Sequence, residues 1–267
     1  MNIAESVLLG FVQGLAEFLP VSSSGHLAII SYFIGQTEVP LLFDIMLHLA
    51  TLAAVCIVFR RRIWELLCVV GRFIIRKPLE SDRPDQKTII ALIAATAMTG
   101  IIGFILKDFV REISPFVISC CFVVTGILLF ISGRFTPKQT VEAPNLVRGL
   151  IIGTVQGIGV IPGISRSGST ISASLFTGLD RRVAGEFSFL LSIPAILAAF
   201  ILELKDADTL TGSVSAISLI AGMLTAFIVG LLSLKFLITL INKGKLGYFA
   251  FYLVPVGISL AIYFAVK

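Results

Sequence analysis

Residues Gln13-Gly-Leu-Ala-Glu17-Phe-Leu-Pro20-Val-Ser22-Ser23-Ser24-Gly25-His26 set a carboxylate, three hydroxyls and an imidazole inside sequence that is otherwise as apolar as a membrane interior. A charged side chain at the bilayer centre costs about 2.5–3.5 kcal/mol on insertion scales, so ionisable residues in such surroundings mark functional sites by default. Reading this stretch as the polar tip of a broken helix decides the fold.

The flanks supply the membrane. Of 267 residues, 57% are hydrophobic and only 14% charged, and the mean hydropathy is +1.01, far from the usage of a soluble domain. The net charge of +5 lies in short loops between apolar runs, where it is a topology signal; no nucleic-acid partner is expected. Cys56, Cys68, Cys120 and Cys121 show no metal-ligand spacing and are expected to be free thiols. Met-Asn-Ile-Ala-Glu at the start lacks a basic n-region, so the first apolar segment is expected to belong to the mature protein.

Residues 3–19 look helical, but Gln13, Glu17 and Pro20 leave an apolar length short of the ~20 residues a span needs. A second short helix over about 24–35 ends at Gly35, and the two together predict a re-entrant hairpin, tolerated at depth only inside protein or a wet cavity. Spans are predicted at 41–59, 88–106, 116–133, 183–202, 214–240 and 248–266. The connection from 60 to about 87 carries eight Lys or Arg and is expected to be cytoplasmic, whereas Glu203, Asp206 and Asp208 against Lys205 in the loop 203–213 suit the outer face.

A gapless shift of 143 residues superposes Gly10, Val12, Gln13, Gly14, Ser22, Ser24 and Gly25 on Gly153, Val155, Gln156, Gly157, Ser165, Ser167 and Gly168. The chain is therefore expected to be one all-α polytopic membrane domain of about six spans and two re-entrant hairpins. Repeat one covers about 1–133, a linker 134–147, and repeat two about 148–267. One hairpin plus three spans per half inverts the second half, bringing the polar tips together near the midplane.

Gln13 and Glu17 share a helix face and could ligate a cation or orient a nucleophile, although one carboxylate and one amide are a thin set for an oxygen-seeking ion such as Mg²⁺. Ser22, Ser23 and Ser24 follow Pro20 as caps of the next helix, with free amides that suit an anion. With that helix starting near Ser23, the His26 imidazole could face the Ser23 hydroxyl, an arrangement for base-assisted attack. In the second tip, Arg166 stands where the first has Ser23, flanked by Ser165, Ser167, Gly168 and Thr170: a guanidinium among hydroxyls suits a multiply charged phosphate. A pairing of Arg166 with Glu17 is also open. Asp44, with His48 on the same face, and Glu186 are expected to support the site from behind rather than act in it. Arg181 and Arg182 are expected to be interfacial anchors.

Glu17-Phe-Leu-Pro-Val-Ser-Ser-Ser-Gly-His26, with Pro162-Gly-Ile-Ser-Arg-Ser-Gly-Ser-Thr170 and Glu186-Phe-Ser-Phe-Leu-Leu191, resembles the undecaprenyl-diphosphate phosphatase family of bacteria, the bacitracin-resistance type, over essentially the whole chain. The resemblance implies an inner-membrane hydrolase that removes the terminal phosphate of a polyprenyl diphosphate lipid and recycles the cell-wall lipid carrier. It also implies an active site open to the periplasmic face and dependence on a divalent cation, Mg or Ca, with membrane lipids as surroundings; a homodimer is left open. Glu17, Ser23, His26 and Arg166 match the family's functional positions, with Ser22, Ser24, Gly25, Ser165, Ser167, Gly168 and Thr170 around the substrate and Glu17 with Gln13 toward the metal. Gln13 stands at the first place of a Glu/Gln-x-x-x-Glu motif, which removes one negative charge and puts two-carboxylate metal binding in doubt. Ser23, His26 or a water remain open as nucleophile. A lipid-phosphate flippase or anion carrier built from inverted repeats is the alternative function.

Overall fold

The computed structural model describes residues 1–34, 41–135, 140–203 and 214–267. Eleven α-helices are described: α1 Ile3–Phe18, α2 Ser23–Phe33, α3 Leu41–Val58, α4 Arg60–Ile74, α5 Arg83–Arg111, α6 Pro115–Arg134, α7 Leu146–Ile158, α8 Arg166–Phe176, α9 Arg181–Glu203, α10 Ala216–Asn242 and α11 Ala250–Val266. Among the described residues there is no strand. The Gly35 end of the second short helix, part of the expected linker and the acidic loop from 204 to 213 lie outside the described residues.

Among the described residues five helices are long and apolar enough to cross a membrane, and α3 joined to α4 makes a sixth candidate. The expected 41–59 span is α3, but the chain then turns by 78° instead of continuing as a polar connection. The following residues form an amphipathic helix, α4, which buries Leu66 and Val69 and exposes Trp64, Leu67, Phe73 and Ile74. Ile63, Leu66, Leu67 and Val70 stand at helical spacing, and this periodicity was masked by the arginines among them. Arg72 donates to both Asp82 oxygens at 2.9 and 2.6 Å, and the Leu79 amide donates to the same carboxylate at 3.0 Å.

At 16, 11, 13 and 11 residues, α1, α2, α7 and α8 are each too short to span. The first two and the last two form hairpins. α1 runs parallel to α10 so closely that a Cβ on Gly10 would lie 2.3 Å from the Gly222 carbonyl oxygen, and one on Gly14 2.6 Å from that of Ala226. In the other half α7 runs parallel to α5: a Cβ on Gly149 would lie 2.5 Å from the Ala91 oxygen, and one on Gly153 2.4 Å from that of Ala95. Each short helix thus docks on a span of the opposite half through residues small enough for backbones to touch, the usual solution where lipid offers no hydrophobic drive between helices. The start of α5 and the end of α10 lie at one end of the bundle, with α9's first turn. The hairpins therefore enter from opposite ends.

The end that receives α7 and α8 is the basic one, carrying Arg60, Arg61, Arg62, Arg134, Arg148, Arg181, Arg182, Lys243 and Lys245. There Arg62 binds α4, α5 and α9 together, donating to Glu65 at 3.2 Å, Asp85 at 2.7 Å and Glu186 at 2.7 Å.

Backbone contact at the glycines makes a clear prediction. Gly10→Ala and Gly153→Ala should each destabilise the detergent-solubilised protein by at least ~1–3 kcal/mol, because no side-chain shift can relieve the clash. Gly71→Ala, whose added Cβ would meet nothing within 4 Å, should be neutral or slightly stabilising in the same thermal-unfolding measurement.

Candidate active site

α1 ends at Phe18 and α2 begins after Ser22, whose φ of +72° puts a non-glycine residue in the left-handed region. Cross-linking of the two tips over-determines that strained residue. Ser22 Oγ accepts from the Gly25 amide at 3.4 Å and, across the interface, from the Gly163 amide at 3.0 Å. Gly163, at φ +92°, turns the second tip, and its carbonyl accepts from Thr125 of α6 at 2.9 Å. Ser165 caps α8 as Ser22 caps α2, accepting from the Gly168 amide at 3.1 Å. Ser167 Oγ donates to the Phe18 carbonyl at 3.0 Å, so the second hairpin caps the last turn of the first.

Glu17, 6% exposed, is the hub of the junction. Its Oε2 accepts from Ser23 Oγ at 2.7 Å and Gln13 Nε2 at 3.0 Å, while Oε1 takes the Arg166 guanidinium. The pairing of Arg166 with Glu17 left open above is therefore present. His48 Nε2 stands 3.7 Å from the same Oε2. Its Nδ1 is 2.9 Å from the Asp44 carbonyl oxygen, which can only accept, so Nδ1 carries a proton and Nε2 faces the carboxylate.

A cavity of about 230 Å³ opens on this cluster. Glu17, Ser22, Ser23, Ser24, Ser165 and Arg166 line it, together with His48, Thr99 and Gln156. Val160, Ile164, Ala195, Ile196 and Ala199 make its apolar side.

Other expected site residues sit elsewhere. His26 does not line the cavity or bond Ser23. Its Nδ1 donates to the Ser22 carbonyl at 2.8 Å, its Nε2 accepts from Tyr252 of α11 at 2.8 Å, and its ring stacks on Tyr252. The ring folds back on its own helix cap and lies against Phe122 of α6 and Tyr252 of α11. Glu186 is likewise displaced: the inverted repeat starts α9 at the basic end, where Glu186 pairs with Arg62. Gly25 and Gly168 serve tip packing, since a Cβ on Gly25 would lie 2.6 Å from Phe122 and one on Gly168 3.0 Å from Pro20. Thr170 bonds the Arg166 carbonyl at 2.9 Å and approaches Ser188 of α9. Asp44 reaches the cluster only through His48. The sequence contains just two histidines; the one inside a span is the one at the site, and its i, i+4 spacing to Asp44 was the available signal.

A protein-held divalent cation does not fit this donor set. Both Glu17 oxygens already accept hydrogen bonds and its charge is paired with Arg166; the Gln13 oxygen, buried without a partner, is one neutral ligand. Among the described residues no group of three His, Cys, Asp or Glu is arranged to hold a metal ion.

A buried hydroxyl on a carboxylate, beside a guanidinium and an apolar wall, defines a membrane-embedded centre for chemistry on a phosphorylated amphiphile. The comparisons agree. The family described as Bacitracin resistance protein BacA matches residues 6–259, and the chain belongs to that family. A relative from Treponema denticola named undecaprenyl-diphosphatase is 61% identical over 264 residues, covering 99% of this chain and 98% of its own. Relatives of the same name from Desulforapulum autotrophicum, at 40% with 97% of each chain covered, and Borrelia hermsii, at 38% with 95% and 96% covered, are also similar.

Arg166→Gln should leave Glu17 as an uncompensated buried charge and destabilise the protein by about 3–5 kcal/mol, with much of this recovered in the Glu17→Gln/Arg166→Gln double variant; a thermal-unfolding cycle measures it. Calcium titrated into chelator-washed, substrate-free protein should show no stoichiometric site by calorimetry. Tight binding lost in Glu17→Gln would refute that.

Proposed function

We infer that this protein is an undecaprenyl-diphosphate phosphatase of the bacterial plasma membrane, hydrolysing the phosphoanhydride of a polyprenyl diphosphate to polyprenyl phosphate and phosphate. The observation that carries this reading is the Ser23–Glu17–Arg166 cluster, assembled from both hairpin tips in a cavity with an apolar side, in a chain of this family. Arg166 and the amides that open α2 and α8, those of Ser23, Ser24, Arg166 and Ser167, would receive the diphosphate and oppose charge developing on it. The apolar side, from Val160 to Ala199, would take the first isoprene units.

Ser23 is the nucleophile in this reading. It lines the cavity and already donates to Glu17, whereas His26 does neither. Ser23 Oγ attacks the terminal phosphorus, its proton passes to Glu17, and the bridging P–O bond breaks to release polyprenyl phosphate; water then hydrolyses the phosphoserine and restores the hydroxyl. Charge asymmetry supports the orientation, with the basic end inside and the Asp44 end of α3 outside.

Phosphate release from detergent-solubilised protein given undecaprenyl diphosphate is the test, because a carrier needs two compartments and a hydrolase does not. Ser23→Ala and Arg166→Ala should each lower the rate by at least about 10²-fold. An unchanged rate in Arg166→Ala would remove the clamp, and no release by the unaltered protein would favour the carrier.

A further inference from the structure

We propose that His48 is the proton relay of the site, connecting Glu17 to Asp44 and from there to the outer end of the bundle. It deepens the phosphatase reading above and rests on it. In the sequence His48 looks like a supporting group behind the site, yet it forms part of the cavity wall.

The geometry is continuous. Ser23 Oγ lies 2.7 Å from Glu17 Oε2, and the same oxygen lies 3.7 Å from His48 Nε2. On the far side of the ring Nδ1 donates to the Asp44 carbonyl and stands 3.8 Å from the Asp44 carboxylate, which is 36% exposed. A second cavity of about 90 Å³, lined by Asp44, Ile45, His48, Ile196, Ala199 and Phe200, also borders the His48 side chain. His48, Ile196 and Ala199 belong to both cavities, so the ring is a partition between the reaction chamber and a vestibule. The charged groups facing it are Asp44 from its own helix, Glu17 from α1 and Arg166 from α8; α9 offers only apolar side chains.

The reaction needs such a route. Hydrolysis of an ionised diphosphate yields two phosphates and a proton. Glu17 can accept the Ser23 proton but, 6% exposed and facing only the substrate's own cavity, it would hand that proton back to the phosphate side unless a second group takes it. Transfer from Glu17 Oε2 to His48 Nε2 gives an imidazolium beside Asp44 and restores the Glu17 carboxylate. Loss of the Nδ1 proton to water in the vestibule leaves the Nε2–H tautomer, and a water-assisted shift of that proton back to Nδ1 resets the ring. No oxidant or further reactant enters. His26, locked between Ser22 and Tyr252, cannot serve this route.

Chemical rescue tests the relay. His48→Ala opens the partition to the vestibule, so exogenous imidazole can reach Glu17. Removing the relay should lower phosphate release about 10²–10⁴-fold, and added imidazole should restore at least about tenfold of it, with no such gain in Ser23→Ala. His48→Gln, which keeps an amide donor for the Asp44 carbonyl, is the second variant: kcat should fall with KM little changed. Wild-type turnover in either variant, or a folded His48→Ala protein that imidazole does not rescue, overturns the relay. Full activity in Ser23→Ala would instead sink the nucleophile assignment on which the relay rests, so the two failures are distinguishable.

Discussion

Glu17 and Arg166 meet where neither could remain alone. Each is a full charge at the tip of a helix too short to cross the membrane, and each is contributed by a different half of the chain. An isolated charge at that depth carries a penalty that only pairing removes. The pair therefore ties the hairpins to one another, and the remaining tip contacts, Ser22 to Gly163 and Ser167 to the Phe18 carbonyl, complete the junction. It also leaves one cationic and one anionic group facing a cavity, which a charged substrate can compete for. Joining the tips and preparing the chemistry are the same event.

Much of this is legible in the residues. The shift that aligns Gln13 with Gln156 and Ser22 with Ser165 also aligns α2 with α8, because a helix start is written locally by its capping serine and the glycine amide three residues on. The spans follow from apolar length alone. The side of the ring on which a histidine finds its partners does not. His26 is held by Tyr252, 226 residues away, and spacing within one helix cannot announce such a neighbour. Glu186 was misplaced for a related reason: an inverted repeat preserves position in the sequence while reversing the end of the bundle. α4 was hidden by its arginines, which mark a membrane surface as readily as a loop.

The halves share a plan and divide the chemistry. The first tip holds Ser23, Glu17 and, through α3, His48; the second holds Arg166. Gln13 turns to Glu17, whereas its mate Gln156 turns to Thr99. At one position the tips differ, Ser23 against Arg166, so that a hydroxyl and a guanidinium meet on the same Glu17 carboxylate.

The hydroxyl of Ser167 on the Phe18 carbonyl has a consequence for how the chain enters the membrane. The last turn of α1 is finished by an atom that is synthesised some 150 residues later. Until then the first hairpin has an open carbonyl end and an unneutralised Glu17, both poorly suited to hydrocarbon. Its settled depth must follow arrival of the second hairpin. A chain truncated before α8 would lack the groups that complete the end of α1 and balance its Glu17 charge.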